Sequence, residues 1–269
     1  MLTEKIVRRF KLGTTSFIYP DHIVPNVKKL GHHFDEIELL IFESKPLAHL
    51  PTSAEIDELA KLSIELSVTY NVHLPTDISL ASPSKTMRQD ALDTLERVVT
   101  LAAPLCPTTH TLHLDLTFEE MVQGQDGILR FQERAIEGLE LLAQRIPSPD
   151  KITIETLEYP PEILFPVLDA TPIALCMDAG HLIRYGYDVS GLFERYGKRI
   201  PLIHFHGVDF SYDPPRDHQG LDRTPMDRVG TTLGVLEKFT GVVSLEVFNL
   251  DHLKASLDWM DRCFSLSAF

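Results

Sequence analysis

The chain is poor in cysteine, in cationic side chains and in long apolar runs. Its three cysteines, Cys106, Cys176 and Cys263, stand far apart and are odd in number. That argues against a disulfide framework and fits a reducing compartment, so a cytoplasmic protein is expected. Lys and Arg total 25 against 39 Asp and Glu, a formal net charge of −14. Affinity for nucleic acid comes largely from Lys and Arg on phosphates, so no nucleic-acid partner is expected. No apolar stretch approaches the roughly 18 residues of a membrane helix, and Met1–Phe10 is charged, so neither a membrane span nor a secretory leader is expected. Glycine-rich phosphate cradles are missing, as is any linker or low-complexity tract that would divide the chain. One domain over residues 1–269 is the expectation.

What is present is histidine, 12 residues of it, in a chain of ordinary apolar content, 43%. Strand candidates recur from end to end: Phe10–Ser16, Glu36–Phe42, Ser67–Leu74, Thr109–Asp115, Lys151–Glu155, Pro172–Asp178, Pro201–Gly207 and Val242–Val247. Several are short, nearly continuous in Val, Ile and Leu, as in parallel sheets buried on both faces. Between them lie helical patterns. Lys85–Ala103 carries Met87, Ala91, Leu92, Leu95, Val98, Val99 and Ala102 at helical spacing, with Ser84 placed as an N-cap. Thr52 to Glu55 reads as a capping box before Ile56–Leu66, and Gly127–Arg145 and Leu250–Phe264 are also helical in pattern. Eight strands with intervening helices predict an α/β fold, a single (β/α)8 TIM barrel, with a doubly wound open sheet as the alternative. Asp209–Asp227 is predicted to be one long irregular loop after the seventh strand.

The strand ends carry the chemistry. The third ends at His73, the fourth at His113 and the fifth at Glu155. The sixth runs into Asp178-Ala-Gly-His181, the seventh holds His204 and His206 before Asp209, and the eighth holds Glu246. Taken singly, a strand-end histidine is usually a hydrogen-bonded structural residue, Asp178 could cap a helix, and Glu155 or Glu246 could sit in a salt bridge. Together they differ. A parallel barrel opens all its strand ends on one face, so six successive strands aim imidazoles and carboxylates at one place. Those groups are ligands for zinc first, and for manganese, iron or cobalt.

This order of residues resembles the superfamily of xylose isomerase-like barrels that includes endonuclease IV (AP endonuclease family 2). Within it, Leu12 to Ser16 with Tyr19-Pro20, Glu38 to Glu43, His204 to Val208, Asp217-His218 with Leu221, and Ser244 to Phe248 resemble the cobamide-remodelling phosphodiesterases of the CbiR type. The resemblance implies a metal-ligand set of His73, His113, Glu155, Asp178, His181, His206, His218 and Glu246. It implies two or three divalent ions, and a corrinoid as the small-molecule substrate. His204 faces the same side as His206 and is placed deeper, as a supporting group or an alternative ligand. Asp217, adjacent to His218, departs from the endonuclease IV pattern and is in doubt as a ligand. Asp209 is a candidate to orient an imidazole.

The chemistry implied is metal-assisted phosphodiester hydrolysis, with Glu155 and Glu246 as the catalytic, ion-bridging carboxylates. The alternative is a single-ion sugar isomerase or epimerase using Glu155, Asp178, His206 and Glu246. Abasic-site DNA cleavage and a non-enzymatic binding role are further readings, the first disfavoured by the acidic charge. Substrate contacts are sought at Thr14, Thr15 and Ser16 after the first strand, at Glu43 after the second, and at Arg216 and Arg223 in the long loop. Phe17, Tyr19, Phe42 and Tyr159 could line a pocket or seal the barrel top. Cys176, in an apolar strand, is not expected to act as a nucleophile.

Overall fold

The computed structural model describes residues 9–41, 43–44 and 50–265; Phe42 lies outside them. Eight strands close into one parallel barrel: β1 (Lys11–Thr15), β2 (Glu36–Leu40), β3 (Thr69–His73), β4 (His110–Leu112), β5 (Ile152–Glu155), β6 (Ala174–Asp178), β7 (Leu202–Phe205) and β10 (Val242–Leu245). Each pairs with its neighbours in chain order, and β1 closes the ring against β10, with Gly13 beside Ser244 and Thr14 beside Leu245. The eight strands coincide with the eight predicted from sequence. Around them run α1 (Ile23–Leu30), α2 (Ser53–Leu66), α3 (Lys85–Ala102), α4 (Phe118–Val122), α5 (Gln125–Ala143), α6 (Phe165–Ala170), α7 (Ala179–Tyr185), α8 (Val189–Tyr196), α9 (Met226–Leu236) and α10 (Leu250–Ser265). The capping box before α2 is formed, with Thr52 accepting from Glu55 N and Glu55 accepting from Thr52 N. Ser84 accepts from Met87 N at the start of α3. No described helix is long and apolar enough to cross a membrane.

The strands are buried on both faces, one mainly apolar and the other mainly polar. Ile37, Leu39, Tyr70, Val72, Ile152, Ile154, Leu175, Met177, Ile203, Phe205, Val243 and Leu245 belong to the main hydrophobic core. The opposite face, at alternate positions, carries Glu36, Glu38, Asn71, His73, Thr153, Glu155, Asp178, His204 and Ser244, all buried, beside a small apolar cluster of Cys176, Leu202 and Val242. At the lower end Glu36 is satisfied by Thr69 Oγ1 at 2.6 Å, Thr108 Oγ1 at 2.7 Å and Asn71 Nδ2 at 2.9 Å. A buried carboxylate with three donors is a stable floor.

The segment after β7 is more ordered than the sequence predicts. β8 (Gly207–Asp209) pairs antiparallel with β9 (Arg216–Gln219), a 3₁₀ turn follows at Leu221–Arg223, and Asp227 already lies in α9. The expected irregular loop is therefore a hairpin. Its strands lack the apolar alternation that marks a strand in sequence, and a close backbone approach holds it in place. An added Cβ at Gly207 would collide with the Gly220 carbonyl.

Candidate metal centre

Glu155, at the end of β5, is 1% exposed and stands at the middle of the site. Its Oε2 lies 3.1 Å from His73 Nε2 and 3.0 Å from His113 Nε2. Its Oε1 lies 3.2 Å from His204 Nδ1. That same nitrogen is 3.2 Å from Glu246 Oε2 and 4.0 Å from Asp178 Oδ2. Asp178 Oδ1 accepts from His181 N at 2.7 Å, capping α7, and lies 3.3 Å from His206 Nε2. His181, His206 and His218 each bring one nitrogen to within 4.8 Å of the others; His73, Glu155, His204 and Glu246 do the same with one donor each. Asp178 links the two clusters: it groups with His206 and Glu246, and also with Glu155 and His181. The eight residues of the ligand set expected from sequence thus converge, and His204 joins them.

Four of the imidazoles place Nδ1 near a backbone carbonyl. Nδ1 of His73 lies 3.0 Å from Leu74 O, that of His181 3.1 Å from Thr156 O, that of His206 3.1 Å from Gly207 O, and that of His218 3.2 Å from Glu246 O. For His73, His181 and His218, donating Nδ1–H to a carbonyl leaves Nε2 with a free lone pair turned inward, the tautomer a metal ligand needs, whereas His206 Nδ1 also accepts from His218 N at 3.0 Å. Asp178 Oδ2, His206 Nε2 and Glu246 Oε2 are buried and hydrogen-bond to nothing. Leaving such atoms unpaired is costly, and a divalent cation among them removes that cost. The donor set therefore fits borderline divalent ions, zinc included.

Two backbone features aim these groups. An added Cβ at Gly180 would collide with the His206 ring, so the glycine of Asp178-Ala-Gly-His181 lets that ring lie against the start of α7. His218 has φ +51°, a left-handed conformation unusual for a side chain with a Cβ. It turns His218 onto His206, ring centroids 4.1 Å apart.

The charge balance is that of a cation trap. Burial alone would raise the Glu155 carboxyl, but His204 and His113 hold it well below the usual range. Glu246 is likewise pushed down by His204 and His218 against burial. Burial opposes charge on His73, yet Glu155 lifts it to about 9; His181 reaches about 9 through Asp178, Glu155 and Glu246. Burial pushes the Cys176 thiol up to about 12, which removes it as a nucleophile.

One expectation is corrected, and the other candidates take the following places. Position along the strand favours His206 over His204 as the partner of Glu155 and Glu246; the central imidazole is instead His204, because its side chain enters the barrel one layer deeper. Asp217 pairs with Arg184, and its Oδ2 lies 3.9 Å from His181 Nε2, at the margin of the centre. Asp209 orients no imidazole: its Oδ1 accepts from Ser211 N and Oγ, closing a turn. Arg216 stacks over Tyr212 at 3.7 Å instead of facing the ligands. Thr14 and Thr15 donate to Leu245 O and Val247 O, clamping the barrel seam. Ser16 Oγ accepts from Leu40 N. Ser16, Phe17 and Glu43 line a cavity of about 390 Å³ between α1 and α2, beside the centre and sharing none of its ligands. Tyr159 is buried, its hydroxyl donating to Leu114 O. Two further residues belong to the site without being anticipated by sequence reasoning. Thr156 Oγ1 accepts from Asp178 N at 2.9 Å and donates to Asp178 O at 3.4 Å. Glu38 is fully buried with Oε1 2.8 Å from His204 Nε2; its polar identity inside an apolar strand is the signal that points to it.

Residues 24–263 match the profile of the xylose isomerase-like TIM barrel family. The chain belongs to that family. Among curated proteins none matches it in sequence. Solved structures of similar fold include a D-tagatose 3-epimerase-like protein, 17% identical with a TM-score of 0.78, covering 96% of this chain and 98% of that one. The IOLI protein with a bound zinc atom is 16% identical at TM-score 0.75, covering 95% and 98%. A Thermus thermophilus protein soaked with zinc chloride is 21% identical at TM-score 0.66, covering 95% and 97%. At these identities the likeness is one of fold.

Proposed function

We propose that this family member is a metal-dependent enzyme acting on a small molecule, and that its reaction is phosphodiester hydrolysis with more than one ion. One observation carries the choice: the surplus of imidazole. Glu155, Asp178, His204 and Glu246 suffice for a single ion. His73 and His113 on the far oxygen of Glu155, and His181, His206 and His218 beside Asp178, are two further donor groups. Bound divalent ions would supply charge for the phosphoryl and leaving oxygens and acidity for an attacking water. The chain's own part is to keep that arrangement fixed. Glu155 spans the central set and the His73–His113 pair through its two oxygens, Asp178 spans the central set and the His181–His206–His218 group, and the imidazoles would act as neutral donors once ions displace their protons.

A second reading is favoured by the neighbours, several of which are sugar epimerases by name. In it the central set holds one ion, and Glu155 and Glu246 flank the carbon that exchanges its proton. The corrinoid expectation has no support among these neighbours and rests on the sequence phrases alone.

Ion counting separates the readings. Two or three zinc ions per chain by elemental analysis, together with cleavage of a phosphodiester panel that includes an adenosylated cobamide, supports hydrolysis. One ion per chain with ketose epimerisation and no phosphodiester turnover overturns it.

A further inference from the structure

His204 differs from the other histidines of the centre. His73, His181, His206 and His218 turn Nδ1 to a backbone carbonyl and Nε2 inward. His204 is reversed. Its Nδ1 faces Glu155 Oε1 and Glu246 Oε2, each at 3.2 Å, and its Nε2 faces Glu38 Oε1 at 2.8 Å. The 2.8 Å contact is an ion-pair approach and not an aligned hydrogen bond: neither His204 Nε2 nor Glu38 Oε1 hydrogen-bonds to any group. The other carboxylate oxygen of Glu38 accepts from Ser244 Oγ at 2.6 Å, which fixes the carboxylate across the barrel from β2 to β10. Glu38 and His204 are both fully buried, so water does not screen the pair.

The geometry points to Glu38 as a positioning residue that sets the reversed tautomer of His204 and makes the central ion the most tightly held. The inference rests on the metal-enzyme reading above. A carboxylate at Nε2 keeps the imidazole proton there and leaves the Nδ1 lone pair among Glu155, Glu246 and Asp178. A full negative charge also makes His204 a stronger electron donor than an imidazole leaning on a neutral carbonyl. The central ion thus receives the most basic imidazole and three carboxylates, whereas the outer groups rely mainly on carbonyl-anchored imidazoles. Zinc added to metal-free protein fills the central position first.

Two measurements test this. In zinc-loaded wild-type protein labelled with ¹⁵N-histidine, long-range ¹H–¹⁵N spectra distinguish the tautomers. The expected result is His204 protonated at Nε2 and coordinated through Nδ1, assigned by its loss in His204→Gln, with His73, His181, His206 and His218 coordinated through Nε2. In Glu38→Gln the amide still accepts from Ser244 but offers N–H to His204 Nε2, which moves the proton to Nδ1. The tightest zinc should weaken by about 10- to 100-fold in chelator competition, as is typical for a group supporting a ligand. The weaker zinc sites and the circular dichroism spectrum should be unchanged, and Glu38→Asp should recover part of the affinity. Zinc uptake with His204 protonated at Nδ1, or an unchanged first affinity in Glu38→Gln, overturns this inference and leaves the enzyme reading standing. Failure of the wild type to take up zinc overturns both.

Discussion

Glu155 is the residue on which the centre turns, because its two oxygens face different partners: His73 and His113 on one, His204 on the other. Glu155→Gln keeps the volume but halves the acceptor capacity and deletes the charge. Turnover should fall by at least about 100-fold, the upper end of what supporting groups cost, and elemental analysis should show at least one ion lost. The titrations give a second expectation. His73 and His181 are raised from 6.5 to about 9, so in metal-free protein they carry protons at neutral pH. Ion uptake must expel those protons, and apparent zinc affinity should climb about tenfold per pH unit for each proton displaced, levelling off near pH 9. The same shifts stabilise metal-free protein fully below pH 6.5, and that contribution disappears as pH rises through about 9. Its Tm should therefore drop across this window while that of zinc-loaded protein does not; a pH-independent affinity would refute the assignment.

At the scale of the element, the short helix α7 carries more of the site than its length implies. Asp178 caps it, His181 lies in its first turn, and Gly180 leaves room for His206. Gly180→Ala should displace the His206 ring, cost about 1–3 kcal/mol by overpacking, and reduce bound zinc without abolishing the central ion. Thr52→Ala removes the cap of α2, remote from the centre; it should cost about 1 kcal/mol and leave zinc stoichiometry unchanged. Elements are legible in sequence where one signal dominates. Ser84 and Thr52 announce helices through local hydrogen bonds, and the runs around Ile37 and Ile203 announce buried strands. The short helix α4, with Thr117 and Glu120 forming its own capping box, is invisible to periodicity because Phe118, Met121 and Val122 are exposed and give no stripe. The hairpin of β8 and β9 is hidden for a related reason, the residues of β9 being Arg, Asp, His and Gln. Of the site, strand-end histidines and carboxylates can be read from their positions. The choice between His204 and His206 cannot, because both lie on one side of the strand and only depth in the barrel separates them. Glu38 escapes because its partner, His204, is far away along the chain.

For the whole molecule, nine donor residues on or just after six barrel strands, on a short helix and on a hairpin tie distant segments to one point. Ion binding should accordingly stabilise the fold as a unit. Zinc at a hundredfold excess over Kd adds about 2.7 kcal/mol, or about 5–10 °C for a chain of this size. Chelation should lower Tm by that amount in a scanning experiment, with zinc restoring it; an unchanged Tm would mean that no ion bridges these segments. The hairpin of β8 and β9 stands outside the barrel ladder and brings His218 to the rim. One outer donor is thereby carried on a piece separable from the barrel. Excising that flap, while keeping Glu155, Asp178, His204 and Glu246, would strip one outer donor without unpicking the ring of strands, and grafting it onto a one-ion relative would be the reciprocal experiment in converting one catalytic repertoire to another.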